Sequence, residues 1–383
     1  MLKFFPLAWA GLWRRPARTI FTALSVLMAF VLFAILAGIN SGFTHVVEIA
    51  RMDRLYTVAR FGGKPMPLAY ADQIAKIPGV TMVAPRTGVD CYFQDPKNSL
   101  HIIMADERYF AMKPEIVASK QQVDMLMRNR TGAIISVFTA KKYGWKVGDT
   151  VPLISNIPTR DGSRVWTFKI LSIVDDSERP GQARYFVGNY QYLDERRLTE
   201  KGTIDLFIVR ISDTNLVTQV GRAIDGLFSS SGAPTKTGSE KSYYQSDIRQ
   251  LGDVQLFTNS IVAAVLFMVL FLTGNSMGQA FYERTSEFAV LKTLGFSDNQ
   301  VLLLILSEAL LLCVLSALGG LALARLSVPL IRALDPDFLG QMLQMRWVTL
   351  ASGLAAAAVV AFASGIVPAV RGRRLSIVSA LKR

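Results

Sequence analysis

Four long apolar runs alternate with polar stretches along the chain, at about residues 20–40, 254–280, 300–324 and 347–370. A helix needs roughly 20 predominantly apolar residues to cross a hydrocarbon core of about 30 Å, and each run is long enough. The pattern therefore predicts an α-helical membrane protein with four transmembrane helices. Because the first run is longer than the apolar core of a secretory signal, we expect it to be a retained anchor.

The stretch between the first and second runs, about residues 42–250, has the composition of a folded soluble domain. Short runs of β-branched and aromatic residues bounded by turn residues predict strands, as in "GAIISVF", "RVWTFKILSIV" and "IDLFIVRIS". Helical spacing of apolar residues occurs in "YADQIAKI" and "NLVTQVGRAIDGLF". We expect a large α+β domain inserted between the first and second transmembrane helices.

Positive charge is concentrated just outside the first and fourth runs, at Lys3, Arg14, Arg15, Arg18, Arg371, Arg373, Arg374, Lys382 and Arg383. Cytoplasmic loops carry an excess of Lys and Arg, so both termini are expected in the cytoplasm and the large domain outside it.

The expected boundaries are an amphipathic N-terminal segment (1–19), TM1 (20–41), the α+β domain (42–250), TM2 (251–281), a cytoplasmic segment (282–299), TM3 (300–332), a short outer loop (333–346), TM4 (347–370) and a basic tail (371–383).

Composition and motifs exclude several kinds of chemistry. The net charge is +13, but the charges of the large domain are mixed, so we expect no nucleic-acid partner. No phosphate-binding GxxxxGK[ST] stretch, HExxH or GxSxG occurs. The only histidines are His45 and His101, too few for a histidine-based zinc site, and Cys91 and Cys313 are expected to be free thiols. We therefore expect no catalytic residue, no metal and no cofactor, and a chain that is not itself an enzyme.

Glu308, in "LILSEALLL", is an ionisable residue inside the third run. A charge at membrane depth is costly and often functional, for example as a proton or substrate relay. The alternative is an interhelical hydrogen-bond anchor, since Glu308 lies only about two helical turns from the polar segment before it. A relay needs a second ionisable partner at depth, which favours the anchor.

The segment 282–300, "YERTSEFAVLKTLGFSDNQ", interrupts the second and third runs with charged residues. Its apolar residues predict a short amphipathic helix, with Phe288, Val290, Leu291 and Leu294 on one face. Gly295 is expected to end this helix, because glycine tolerates positive φ, and Ser297 or Asp298 to cap the next one.

Several stretches together resemble the FtsX-like permease family. The segment after the second run is similar to the family signature at Glu283, Arg284, Glu287, Leu294, Gly295, Ser297, Glu308, Ala309 and Leu310. Both chain ends are also similar to the family, and parts of the large domain resemble the periplasmic core domain of MacB-like members, as in "GAIISVFTAKKYGWKVGDTVPL" and "FKILSIVDD".

The resemblance implies a permease of the type VII ABC superfamily in the bacterial inner membrane, with the large domain in the periplasm. In such mechanotransmission systems a cytoplasmic ABC ATPase dimer moves the spans, and the spans move the periplasmic domain to extract or export a substrate, as in efflux or lipoprotein release. The implied coupling residues are Glu283, Arg284, Glu287, Leu291, Leu294 and Gly295. The implied partners are the ATPase, a second permease chain as homodimer or heterodimer, membrane lipids and, in some members, a periplasmic membrane-fusion adaptor.

Two other functions stay open on the sequence. One is a regulatory transducer of the same architecture that controls a periplasmic cell-wall hydrolase. The other is a sensor or adhesion receptor with no ATPase, which the short cytoplasmic segments disfavour because they contain no evident signalling domain.

Overall fold

The computed structural model describes residues 5–48, 50–61, 64–175, 185–250, 254–334 and 339–374. Lys3, Lys382 and Arg383, which help to orient the chain in the sequence, lie outside these ranges. The chain divides into a helical unit, Met1–His45 with Ile248–Arg383, and a sheet unit, Val46–Asp247.

In chain order the elements are α1 (Phe5–Trp13), α2 (Pro16–Glu48), β1 (Arg54–Ala59), β2 (Met66–Pro67), α3 (Tyr70–Ile74), β3 (Val80–Tyr92), β4 (Ser99–Ala105), α4 (Glu107–Met112), α5 (Lys120–Arg128), β5 (Gly132–Ser136), α6 (Val137–Tyr143), β6 (Thr150–Ser155), β7 (Val165–Val174), β8 (Phe186–Asn189), α7 (Tyr190–Arg196), β9 (Thr203–Ile204), β10 (Leu206–Ile211), α8 (Val217–Leu227), β11 (Thr235–Ser239), α9 (Glu240–Gln250), α10 (Val254–Glu283), α11 (Thr285–Thr293), α12 (Asp298–Leu334), α13 (Leu339–Met342) and α14 (Trp347–Arg373).

The four long helices of the helical unit are long and apolar enough to cross a membrane, over Pro16–His45, Gln255–Glu283, Asp298–Leu334 and Trp347–Arg373. They correspond to α2, α10, α12 and α14, and they confirm the four-span prediction. The large domain lies between the first and second of them along the chain, as the sequence predicts.

The middle of the helical unit is filled mostly by small and β-branched side chains from all four long helices, together with a few larger apolar ones. Val26 and Phe30 of α2, Val269 of α10, Cys313 of α12 and Ala357 of α14 belong to one buried cluster. Since helix packing in a membrane depends on close contact rather than on apolar burial, small residues suit this position.

α2 and α12 lie in close contact at Gly320. A Cβ atom on Gly320 would lie 2.5 Å from the carbonyl oxygen of Leu27 and 3.0 Å from the Cβ of Phe30. No side chain fits there without moving the backbone of α2, so Gly320 allows this close packing inside the chain.

The sheet unit contains a nine-stranded mixed sheet in the order β11-β1-β10-β3-β4-β8-β5-β7-β6. β6 also pairs back with the end of β3, at Cys91 with Ser155 and Tyr92 with Ile154. The six strands from β3 to β6 therefore close into a ring, and β11, β1 and β10 extend the sheet from the other part of β3. This confirms the predicted α+β class.

Each part of the sheet has its own apolar core. The ring encloses a cluster that includes Met104, Trp166, Phe168 and Phe186. The extension packs α3 and α8 against one cluster, which contains Ile74 and Ile224. Alternation of buried and exposed residues along β7 fits a strand with one face in a core.

The strand predicted in "GAIISVF" is shorter in the structure, because Ser136 ends β5 and begins a helix. Its hydroxyl accepts a hydrogen bond from the backbone N–H of Thr139 at 3.2 Å, which is the usual arrangement of a helix N-cap. Val137 and Phe138 consequently belong to α6.

A buried carboxylate holds together the two places where the chain enters and leaves the sheet. Glu240 follows β11, and Arg54 begins the neighbouring strand β1. Glu240 accepts hydrogen bonds from Tyr56 Oη at 2.7 Å, from Arg51 N at 3.0 Å and from Lys113, and Arg54 Nε lies 3.5 Å from it. The side chains of Arg54 and Glu240 are 1% and 4% exposed.

The charges around Glu240 determine its protonation. Burial alone would raise its pKa, but the positive charge and hydrogen bond of Lys113, with help from Tyr56 and Arg54, lower the pKa below the ordinary value of a glutamate. A carboxylate with a lowered pKa stabilises the fold fully above the pKa that it has in the unfolded chain. This contribution is lost as the pH falls through the lower folded-state pKa.

We expect Glu240→Gln to reduce the free energy of opening of β1 and β11 by about 3 kcal/mol at neutral pH, because it leaves the buried ammonium of Lys113 without its counter-charge, although Arg54 keeps an ion pair with Glu115. Hydrogen exchange of the β1 and β11 amides in the full chain measures this. The difference from wild type should begin to shrink as the pH falls below about 4, the ordinary pKa of a glutamate, and should vanish only below the lower folded-state pKa.

The matched control is Glu195→Gln, which removes a carboxylate that is 60% exposed and pairs with Arg130 at 3.3 Å. It should change the opening free energy by less than about 1 kcal/mol. Equal effects of the two substitutions would contradict a special role for Glu240.

Candidate functional site

The polar segment between α10 and α12 folds into the short helix α11 with well-defined ends. Beyond its last turn, Gly295 has φ +97°. The N–H of Phe296 donates to the carbonyl of Leu291, and that of Gly295 to Lys292, both at 3.1 Å. This pair of hydrogen bonds is a Schellman motif, so the predicted turn at Gly295 is confirmed.

Ser297 begins α12 by a reciprocal pair of hydrogen bonds with Gln300. Ser297 N donates to Gln300 Oε1 at 2.8 Å, and Gln300 N donates to Ser297 Oγ at 3.4 Å, which is a capping box. Of the two predicted caps, Ser297 therefore takes the position. Asp298 instead pairs with Lys292 of α11 at 2.8 Å.

Arg284 lies at the break between α10 and α11 and connects three helices. Its Nη1 donates to both carboxylate oxygens of Glu308 in α12, at 2.8 and 2.7 Å. Its Nε donates to Glu287 Oε2 at 3.2 Å, and its guanidinium lies 5.0 Å from the ring centroid of Phe288. The side chains of Arg284 and Glu308 are only 12% and 6% exposed.

The N-terminal arginines complete this cluster from the other side. Arg14 donates to Glu287, and Arg18 and Arg15 contact Glu283 at 2.7 and 3.2 Å. These contacts attach the first two helices to the end of α10 and to α11. We name the group Arg14, Arg15, Arg18, Glu283, Arg284, Glu287 and Glu308 the charged cluster.

α1 packs directly over the buried ion pair. A Cβ on Gly11 would lie 2.3 Å from Glu308 Oε1 and 2.9 Å from Arg284 Nη1, so the helix backbone approaches both groups. Trp9 and Trp13 on the same helix remain 43% and 50% exposed, as suits aromatic side chains at a membrane interface.

An apolar cluster lies beside the charged one and brings five helices together. Ala8 of α1, Phe281 of α10, Phe288 of α11, Leu304 of α12 and Ala369 of α14 are all buried in it. The rings of Phe281 and Phe288 are stacked, with centroids 5.8 Å apart. α11 is therefore fixed to the ends of the long helices by both apolar and ionic contacts.

The structure separates the residues predicted for this segment into two groups. Glu283, Arg284 and Glu287 make ion pairs inside the chain, and Glu308 joins them through Arg284. Leu291 is half-buried, whereas Leu294 and Gly295 are exposed.

The expectation of a single apolar face on α11 is wrong. Phe288 is 1% exposed, but Val290 and Leu294 are 46% and 73% exposed. The turn at Arg284 directs Phe288 against Phe281, and Val290 and Leu294 follow on the opposite side at helical i, i+4 spacing. We name Val290 and Leu294 the exposed pair.

Sequence reasoning used Arg14, Arg15 and Arg18 only to orient the chain and missed their contacts with α10 and α11. The sequence contained one indication of these contacts, because the acidic residues of 282–287 need cations to pair with. No local spacing identifies which Lys or Arg residues supply those cations. The small residue at Gly11 gave no signal of its own.

Two family models match the chain. The model of the FtsX-like permease C-terminal region matches residues 259–377, and that of the MacB-like periplasmic core domain matches residues 19–227. A search among curated proteins finds no match.

Two solved structures are similar to about half of the chain. The periplasmic region of MacB from Actinobacillus actinomycetemcomitans is 14% identical, with a TM-score of 0.36, over 51% of this chain and 92% of that one. The extracellular domain of the ABC-type transporter YknZ from Gram-positive bacteria is 9% identical, with a TM-score of 0.34, over 48% of this chain and 98% of that one. The family assignment depends on the two family models.

The charged cluster generates a prediction about stability. Arg284→Gln and Glu308→Gln should each lower the free energy of unfolding of the helical unit by about 3 kcal/mol, because each leaves a buried charge without its partner. The double variant should lose clearly less than the sum, since the two residues interact directly. Denaturant titration of the full chain in detergent measures these energies.

Arg15→Gln is the matched control, because Arg15 is 64% exposed and contacts Glu283 at the surface. Its effect should stay within about 1 kcal/mol. Strictly additive effects of the Arg284 and Glu308 substitutions would show that the pair does not act as a unit.

Proposed function

The chain belongs to the family of FtsX-like permeases with a MacB-like periplasmic core domain, and from this membership we propose that it is the transmembrane subunit of an ABC transporter. A separate cytoplasmic ATPase would supply the energy. In this proposal α11 is the segment that receives the motion of the ATPase, both chain termini are cytoplasmic and the sheet unit is periplasmic.

The exposed pair is the observation that supports this proposal most strongly. Val290 and Leu294 are large apolar side chains on a short polar segment, and they contribute little to the packing of the chain itself. Exposed apolar residues next to polar ones are a common feature of protein–protein contact sites. The charged residues of α11 are engaged inside the chain, so the contact with a partner would be mainly apolar.

The charged cluster gives the motion of α11 a route into the long helices. A displacement of α11 acts on α12 through Arg284 and Glu308, because both oxygens of Glu308 are held by one guanidinium. It acts on the start of α2 through the contacts of Arg18 and Arg15 with Glu283. The ionic contacts join three chain segments: the start of α2, the end of α10 with α11, and α12.

The order of elements then connects the long helices to the sheet unit. α2 is followed in sequence by β1, and α10 is preceded by β11 and α9. β1 and β11 are neighbouring antiparallel strands, and Glu240 joins their ends. A change in either helix would thus reach the same edge of one sheet, as mechanotransmission requires.

A transporter of this kind works as a pair, because ABC ATPases act as dimers. We propose that two permease chains, identical or related, present two α11 segments to the ATPase. The substrate would be taken from the periplasm or from the outer leaflet of the inner membrane, as in efflux or lipoprotein release, with an adaptor as a further partner.

The exposed pair can be tested directly. Leu294→Glu should reduce association with the ATPase that copurifies with the full chain at least about tenfold, since a charge replaces an apolar contact at the centre of the interface. The measurements are copurification and the stimulation of ATP hydrolysis by the permease. Leu294→Met, which preserves apolar character and approximate volume, should retain both. Unchanged association of the Leu294→Glu protein would contradict this docking site.

A further inference from the structure

A groove of about 430 Å³ lies between α10 and α14, and all the residues that line it belong to these two helices. Phe267 and Phe271 on α10 and Val367 on α14 line it, and these side chains are 68%, 69% and 54% exposed. Its volume is within the range of small-molecule pockets, roughly 300 to 1,000 Å³. The groove is therefore large enough for part of a lipid.

The end of the groove next to α11 carries a cation in a fixed position. Arg371 Nη1 donates to Tyr282 Oη at 2.8 Å, and its guanidinium lies 5.8 Å from the centroid of the Tyr282 ring. Both residues belong to the last turns of their helices. Tyr and Arg at such positions lie at the level of lipid headgroups.

In the part of the chain that the structure describes, the positive charge of Arg371 is not neutralised by a carboxylate. No described carboxylate lies within ion-pair distance of it, whereas Arg14, Arg15 and Arg18 are all paired with Glu283 or Glu287. Tyr282 orients the guanidinium without neutralising it. An anion of the headgroup region complements this charge.

The groove has the depth of a lipid chain. From Tyr282 to Phe267 the helix rises about 22 Å, at 1.5 Å per residue, and one leaflet of hydrocarbon is about 15 Å deep. Gln279, one turn from Tyr282, lines the groove and is exposed. Its amide can donate hydrogen bonds at the level where a phospholipid has its ester carbonyl oxygens.

Glycine keeps the groove open. Gly278 lines it, and a Cβ at this position would meet no atom within 4 Å. The Cβ of a larger side chain at Gly278 would therefore enter the open space of the groove without a clash.

We propose that this groove is a binding site for one anionic phospholipid in the leaflet on the α11 side of the membrane. The phosphate would contact Arg371 beside Tyr282, and an acyl chain would lie along Phe271 and Phe267 over Gly278. The lipid would connect α10 with α14. Lipid binding at this site does not require the ATPase, so the outcome of its test does not depend on whether the proposed function is correct.

The test uses the full chain reconstituted in vesicles of equal parts phosphatidylglycerol and phosphatidylcholine, then extracted into detergent for native mass spectrometry. The wild type should retain one phosphatidylglycerol per protomer in preference to phosphatidylcholine. Arg371→Gln should reduce this retention roughly fivefold, the effect of losing one Arg–anion attraction at a membrane surface. Gly278→Phe should abolish it by filling the groove about one helical turn from Tyr282.

Arg373→Gln is the matched control, because it removes the same charge from the same turn of α14 but does not line the groove. It should leave retention unchanged. Equal losses in the Arg371 and Arg373 variants would indicate diffuse attraction and overturn the proposal, and so would equal retention of the two lipids. Wild-type dimers that Gly278→Phe converts to monomers would overturn it in favour of a second copy of the chain in the groove.

Discussion

The buried ion pair between Arg284 and Glu308 determines how the polar segment is placed on the long helices. Arg284 lies where α10 ends, Glu308 lies inside α12, and the guanidinium that joins them also contacts Glu287 of α11. A buried ion pair gives little net stability compared with apolar packing, but losing one partner is costly. Here the ion pair fixes the position of α11. With Arg284 held in place, Phe288 packs inward and the exposed pair faces outward.

The sheet unit contains a second arrangement of the same kind. Glu240 is buried among Lys113, Arg54 and Tyr56, and it joins the strand that follows α2 in sequence to the strand that precedes α10. In both units a carboxylate holds segments that are distant in the chain, at a point where those segments change direction. Such contacts resist bending, and the proposed transmission of motion would need rigid joints at these points.

Local sequence patterns predicted the helices and strands. The candidate site, in contrast, is formed by contacts between residues that are far apart in the sequence. The length of the apolar runs indicated the four spans, and the Gly295 turn and Ser297 cap were predictable because they involve residues only a few positions apart. Arg284 and Glu308 are separated by 24 positions and Arg14 and Glu287 by 273, so no spacing rule connects them. The expected single apolar face was wrong for the same reason, because Arg284 turns the chain towards partners that the segment itself does not contain.

Under the proposed function, Arg284 carries motion from α11 into the spans and on to the sheet unit. The most direct test places spin labels at Val147 in the sheet unit and Val359 in α14, which are 60% and 67% exposed, in the full chain bound to its ATPase. The distance between the labels should change when ATP is added to the otherwise wild-type complex. In Arg284→Gln this change should disappear while ATP hydrolysis continues. The same ATP-dependent change of distance in the Arg284→Gln complex would contradict the account.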